Sequence, residues 1–487
     1  MNSARRPLVL LLAFASVLRV ILVVQGGQLY WPDERLYTQV LDIFDLHRGD
    51  WFGTAKALFS TQDHLGFALI SAPIAAFQFA IGHALSRSGN GLMMLPGLFL
   101  AQASVVSIAL VYAIGRRAGA DRTEALLAAV LMASAASMFY YARHLLPYDS
   151  AMMLALLALW CGTGATRRDS LACGAAAAAA FITYNGYWLI AGAVLLLHIA
   201  QKGRTTRSAA LVRAAYAGLG FVIVPALVVV AELSTGAPLM FAGMRRLAGT
   251  VTDGYAPEGF TLPWAYLWHA EHGLLFLWIA ALLFVTLAPD RPDSRRGAAV
   301  MWVLAALFIY AGLSATSSLL HVFVVMGRQT RQVVPFFCLA TAAVLRELGE
   351  GPRRSLRLVP LCMAALVLQA AWNFRTPLQQ RFPRDVIAEI TSKYGPIDFD
   401  TTIQGPPPSH QPVESQWVLF NAQHLYHPRA PKPPLPPSLV EVLRFRHPLQ
   451  FLPYQYEGFQ PMERQVLRAN DIAMRLVDVG APVDRLP

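Results

Sequence analysis

Tyr30-Trp31-Pro32-Asp33-Glu34-Arg35-Leu36-Tyr37 lies a few residues beyond the first long apolar run of the chain, Leu8 to Val24. Trp and Tyr concentrate at membrane–water boundaries. Carboxylates at such a boundary usually line a polar cavity and pair with something. Asp33 and Glu34 therefore read as an acid/base pair held at the lipid surface. The preceding run follows Arg5-Arg6, contains Arg19 and has no clear Ala-x-Ala cleavage site. It reads as a retained signal anchor rather than a cleaved signal peptide.

Composition widens that reading to the whole chain. Of 487 residues, 55% are hydrophobic and only 14% charged, against about 25% charged in soluble domains. This is the balance of an integral membrane protein. The net charge of +11 resides in short Lys/Arg clusters between apolar runs, the pattern of cytoplasmic loops, and argues against a nucleic-acid partner. Cys161, Cys173, Cys338 and Cys362 lie in apolar segments without a CxxC, so no disulfide framework is expected.

Topology follows from the positive-inside rule. Arg5-Arg6 places the N-terminus inside and delivers residues 25–64 outside. The clusters at Arg116-Arg117, Arg167-Arg168, Lys202 to Arg207, Arg291 to Arg296 and Arg346 to Arg357 all belong inside. Of the apolar runs 65–85 and 92–114, only one can then cross, and 65–85 is expected to lie on or dip into the outer interface. The remaining runs are 124–141, 148–165, 170–183, 187–200, 208–232, 265–289, 297–319, 333–348 and 356–373. The result is an all-α domain over residues 1–373 with about eleven transmembrane helices and outer interfacial helices. Residues 374–487 follow with Pro406-Pro407-Pro408 and a proline-rich stretch over 431–437. They are expected to form a small extracytoplasmic α/β domain. Trp417 to Phe420 reads as a buried strand, Val440 to Arg444 as a strand or short helix, and Glu463 to Asp478 as an amphipathic helix.

With this topology, polar groups converge outside: Arg19, Asp33, Glu34, Asp63, His64, Arg143, His144, Asp149, Arg245-Arg246, His269, Glu271, His272, Arg328 and Arg331. The break Tyr184-Asn185-Gly186-Tyr187 suggests non-helical backbone lining a cavity. Each group also has a plainer reading. Asp33-Glu34 also fits the first turn of a helix starting near Arg35. Arg143 and Asp149 would pair across a short turn. Arg19, Arg328 and Arg331 would snorkel to headgroups. A divalent cation on Asp33, Glu34 and His64 suits hard-oxygen chemistry, although no tight ligand spacing supports it.

The order of these features resembles the GT-C glycosyltransferases, in particular the family of protein O-mannosyltransferases and aminoarabinose lipid A transferases. The matching pieces are Asp33-Glu34 with Tyr37, Gly49-Asp50-Trp51, Asp63-His64-Leu65-Gly66, Gly115-Arg116-Arg117, Tyr141 to Asp149, and Arg328-Gln329-Thr330-Arg331 through Pro335. Leu65-Gly66 replaces the family's Pro-Pro. The resemblance implies inverting transfer of a sugar from a polyprenyl-phosphate donor to a glycan, lipid or protein acceptor hydroxyl. The site would face the periplasm at a bacterial inner membrane. It further implies Asp33 as general base with Glu34 beside it, and Arg328, Arg331, Arg143 and Arg19 on the donor phosphate. Tyr37, His64, Asp149, Tyr184 and Asn185 would line the substrate pocket. The rival classes are a lipid or glycolipid transporter or flippase, which would carry its charges near the midplane, and a non-catalytic membrane scaffold.

Overall fold

The computed structural model describes residues 6–25, 34–61, 64–84, 93–200, 206–245, 259–287, 295–321, 325, 327–350 and 358–379, together with four strands near the C-terminus. The chain divides into two compact units, Met1–Pro377 and Leu378–Pro487.

The first unit is helical. Its elements are α1 (Arg6–Val24), α2 (Arg35–Leu46), α3 (Trp51–Phe59), α4 (Leu65–Ala84), α5 (Met94–Arg117), α6 (Arg122–Ser134) and α7 (Ala136–Phe139). Then come α8 (Tyr148–Gly162), α9 (Arg167–Thr183), α10 (Trp188–Ile199), α11 (Arg207–Thr235), α12 (Leu262–Glu271), α13 (Gly273–Leu287) and α14 (Arg296–Ser318). α15 (Gly327–Thr330), α16 (Val334–Glu350) and α17 (Leu358–Gln379) complete it. Among the described residues, six helical segments are long and apolar enough to cross a membrane, or seven if α6 and the bent piece after it form one span. The chain is thus a multi-pass membrane protein. The sequence led us to expect about eleven crossings. α8, the 185–199 segment and α13 are shorter apolar helices, and 15 residues rise only about 22 Å against a hydrocarbon core of about 30 Å.

Local chemistry sets the helix ends. Thr166 and Asp169 form a reciprocal capping box at α9. Asp121 accepts the Glu124 N–H at 2.8 Å at α6. α11 stops at Gly236, whose φ of 67° suits glycine, and the Ala237 N–H closes on Glu232 O at 2.9 Å. α9 packs against α8 and α11. At the α9–α11 crossing a Cβ on Gly174 would strike Ala217 O, and one on Gly220 would strike Leu171 O. Such small residues let helix backbones touch inside membranes.

The basic loops gather at one end of the bundle. Arg117 pairs with Asp169 at 2.8 Å, Arg295 with Glu124 at 2.9 Å and Arg346 with Asp121 at 2.7 Å. His198 Nδ1 meets Gly162 O at 2.6 Å, which brings the end of α10 alongside. The positive-inside rule assigned these loops to one side, and the fold places them together.

At the opposite end α4 runs across the bundle. Its first residue packs with Ile182 of α9. Near its other end Gln78 Nε2 donates to Met93 Sδ at 3.7 Å, and Phe77 meets Phe99 edge-on at 6.1 Å. Ile182 and Met93 both lie at the end away from Arg117 and Asp169. α4 is long and apolar enough to cross, yet both its ends touch the same end of the bundle, as an interfacial helix would. Gly66 permits the approach: a Cβ there would sit 2.6 Å from Thr183 N.

Within the second unit four strands form a mixed sheet in the order β1-β2-β4-β3: β1 (Asp398–Asp400), β2 (Trp417–Asn421), β3 (Val440–Arg446) and β4 (Ala473–Asp478). β1 and β2 are parallel; β4 is antiparallel to both β2 and β3. This corrects the expected helix over Glu463–Asp478, whose last six residues are strand. Residues 463–472 lie outside the described residues.

Candidate functional site at the end opposite the basic loops

Two chain segments build the site. The first runs from α7 to the start of α8. α6 and the following helical piece are bent by 72° at Ala135, which is extended (φ −70°, ψ 121°). The chain then continues through the 3-10 turn Tyr140–Arg143 to His144 and Pro147. The second is Gly327–Val333, a short helical turn and a 3-10 turn ahead of α16.

Glu34 is fully buried. It occupies the N-cap position of α2 but makes no side-chain cap there. Instead Oε1 accepts the Leu145 N–H at 2.7 Å, and Oε2 lies 3.6 Å from His144 Nδ1. The carboxylate thus ties α2 to the first segment across more than a hundred residues of sequence. Asp33 lies outside the described residues, as does Asp63.

The cations come from both segments. Arg143 is buried with its guanidinium 5.9 Å from the Tyr140 ring centroid. Arg331 is buried and ion-paired with Asp149 through Nη2, which also approaches Met138 Sδ at 3.5 Å. Its guanidinium lies 4.9 Å from the Tyr141 ring centroid. Nε and Nη1 of Arg331 have no hydrogen-bond partner among the described residues. Arg328 is half-buried; its Nη1 donates to Tyr148 Oη at 2.7 Å. Arg19 is buried in the α1–α5 seam, where Nε donates to Ser104 Oγ at 2.9 Å and the guanidinium faces Phe139, just ahead of the first segment's 3-10 turn, at 5.9 Å.

Aromatic rings connect these groups. Centroid distances are 5.3 Å for His144–Tyr140, 5.0 Å for Tyr140–Tyr141, 5.2 Å for Tyr141–Tyr148, 4.8 Å for Tyr148–Tyr184 and 5.1 Å for Tyr184–His64. The file leads from Glu34 past the arginines to His64. The break at Tyr184–Tyr187 is fixed by the second segment: Gln329 Nε2 donates to Tyr184 Oη at 3.0 Å, and Gln332 Nε2 donates to Gly186 O at 3.0 Å. Gln332 Oε1 in turn accepts the Ile190 N–H at 3.1 Å.

Of the residues singled out in the sequence, Glu34, Arg143, Asp149, Tyr184, His64, Arg328 and Arg331 come together, with half-buried Asn185 beside them. Tyr37 is the correction. It sits in the α2–α4 core, and its hydroxyl donates to Gln78 Oε1 at 2.6 Å, so it packs rather than lines the cluster. Sequence reasoning missed Gln329, Gln332, Tyr140 and Tyr148. Their signal was polar and aromatic density inside Arg328–Gln332 and Tyr140–Tyr148. Among the described residues no group of three or more His, Cys, Asp or Glu is placed to hold a metal.

No family model matches the chain, and no curated protein matches it either. Among the solved structures similar to it are the following two. ArnT from Cupriavidus metallidurans, in the apo state, aligns at 18% identity and a TM-score of 0.46, over 73% of this chain and 62% of that one. The archaeal oligosaccharyltransferase AglB from Archaeoglobus fulgidus, in complex with an inhibitory peptide and a dolichol-phosphate, aligns at 13% identity and a TM-score of 0.45. That alignment covers 79% of this chain and 58% of AglB. The chain therefore spans about three fifths of the length of either structure, and both likenesses stay below a TM-score of 0.5.

Proposed function

We propose that this protein transfers a sugar from a polyprenyl-phosphate donor to an acceptor hydroxyl at the outer face of a bacterial inner membrane, with inversion at the anomeric carbon. The observation that carries the reading is the buried Arg331, which spends one guanidinium nitrogen on Asp149 and holds Nε and Nη1 without partners among the described residues. Arg143 and Arg328 stand in the same cluster. Buried guanidinium groups are costly unless paired, and they match phosphate oxygens bidentately.

In this reading the donor phosphate enters at the half-buried edge formed by Arg328, Asn185 and His64. Arg328, Arg331 and Arg143 neutralise the charge that grows on the phosphate as the glycosidic bond breaks. Asp33 takes the acceptor's proton as general base. Glu34 fixes the segment carrying His144 and Leu145 at the right distance, and an apolar bundle suits a prenyl chain. Residues 374–487 would stand outside the membrane as a separate domain.

Titration of purified protein in nanodiscs with a fluorescent polyprenyl phosphate tests the reading. Saturable binding that weakens at least about tenfold in Arg328→Ala, the loss of a charge-assisted contact worth 1.5–3 kcal/mol, supports it. Equal binding by wild type and variant would remove the phosphate site.

A further inference from the structure

Glu271 is the last residue of α12, next to a break at His272, whose φ is 41°. It is fully buried, and both of its carboxylate oxygens are directed at the bend after α6. Oε2 accepts the Ala136 N–H at 2.8 Å, and Oε1 accepts the Ser137 N–H at 2.9 Å and the Ser137 hydroxyl. The first N–H groups of a helix lack intrahelical partners. Here a carboxylate from another helix caps α7, the piece that launches Tyr140, Arg143 and His144. Five residues earlier, about 7.5 Å along the same helix, the Tyr266 ring lies flush on Gly327, so that a Cβ there would strike its Cε2 and Cδ2. Gly327 directly precedes Arg328. α12 thus grips both segments of the site, one through a carboxylate and one through a ring. Met138, next to Ser137, touches Arg331, which lies within the field of Glu271.

We propose that α12 is the strut that sets the spacing between the Arg143/His144 segment and the Arg328/Arg331 segment, with Glu271 as the positioning residue that fixes its end. Glu271 touches no substrate. Its effect on turnover rests on the transferase reading above, whereas its effect on the two segments does not. Gln in its place keeps the shape but turns an NH2 group toward one of the N–H donors it now accepts from, so the cap opens on one side.

The test compares wild type, Glu271→Gln and the milder Ser137→Ala in proteoliposomes. Glu124→Gln serves as the control for losing a buried carboxylate at the other end of the bundle. A displacement of the order of 1 Å between reacting groups lowers rates by roughly a hundredfold. We expect kcat to fall about 10–100-fold in Glu271→Gln and less in Ser137→Ala, with donor KM changed by less than about threefold. Glu124→Gln should lower thermal stability and leave kcat and KM alone. A Glu271→Gln variant that loses only stability would overturn the strut. Hydrogen exchange gives a readout free of catalysis: Glu271→Gln should speed exchange in peptides covering both 135–147 and 327–334. Unchanged protection in either peptide would overturn the proposal. A wild-type protein that transfers no sugar would defeat the transferase reading alone, and the strut would then be decided by exchange.

Discussion

Asp149 and Arg331 offer the sharpest energetic test of the cluster. Both are buried, paired through Nη2 and Oδ1, and contributed by segments 182 residues apart. Removing one partner of a buried pair leaves an uncompensated charge and costs about 3–5 kcal/mol, whereas removing both is often neutral. The surroundings soften each single loss. Asp149 lies in the first turn of α8, where the helix N-terminus favours an anion by about 0.3–1 kcal/mol. Arg331 keeps the Tyr141 ring, worth up to about 2 kcal/mol when desolvated. Arg331→Met and Asp149→Leu should therefore each fall near the low end, about 3 kcal/mol. The double variant should lie within about 1 kcal/mol of wild type, giving a coupling of several kcal/mol. Unfolding free energies by steric trapping in bicelles would measure the cycle. The double variant should be folded yet unable to bind polyprenyl phosphate. Losses that add to within about 0.5 kcal/mol would refute an energetically coupled pair, and with it a cluster whose stability depends on charge compensation.

Arg328→Lys should keep the fold but lose the paired donor geometry of the guanidinium, so binding of polyprenyl phosphate weakens while thermal stability holds. Gly66→Val should force α4 away from Thr183, destabilising the protein by about 1–3 kcal/mol as overpacking does. A stability loss below about 0.5 kcal/mol would mean that α4 is free to shift. Asp121→Ala removes the α6 cap and should cost about 1 kcal/mol, read as a lower unfolding midpoint with unaltered lipid-phosphate binding. Ser409→Cys should react with an impermeant thiol reagent from the periplasmic side, and labelling only after lysis would invert the topology.

Much of the helical layout was legible because apolar runs end where charge or a turn interrupts them. The break at Tyr184–Tyr187 was visible for that reason. The bend at Ala135 was not, because no charge interrupts the sequence there, and the break at His272, although it falls in the polar stretch His269-Ala270-Glu271-His272-Gly273, reads as part of one apolar run over 265–289. The bend at Ala135 is held by Glu271, which caps α7 from a distant helix, a tertiary contact that no window of sequence contains. β4 failed for a related reason. Ala473–Asp478 mixes apolar and polar residues in a way that suits either period, and pairing with β2 and β3 decided for strand. In the site, residue types pointed to Glu34, Asp149 and the arginines. Sequence could not tell that Tyr37 turns into the α2–α4 core, since a tyrosine beside a carboxylate looks the same whether its ring packs or lines a cavity. Nor could it show that Arg19 reaches Ser104 on a neighbouring helix.

The decisive measurement is sugar transfer in proteoliposomes carrying purified protein, a panel of radiolabelled polyprenyl-phosphate sugars and a membrane extract as acceptor source, with Asp33→Asn beside wild type. Labelled product from wild type, lost in Asp33→Asn while polyprenyl phosphate still binds, is the predicted result. Undiminished transfer by Asp33→Asn would remove the proposed base, and no transfer from any donor by a protein that binds none of them would contradict the transferase reading itself.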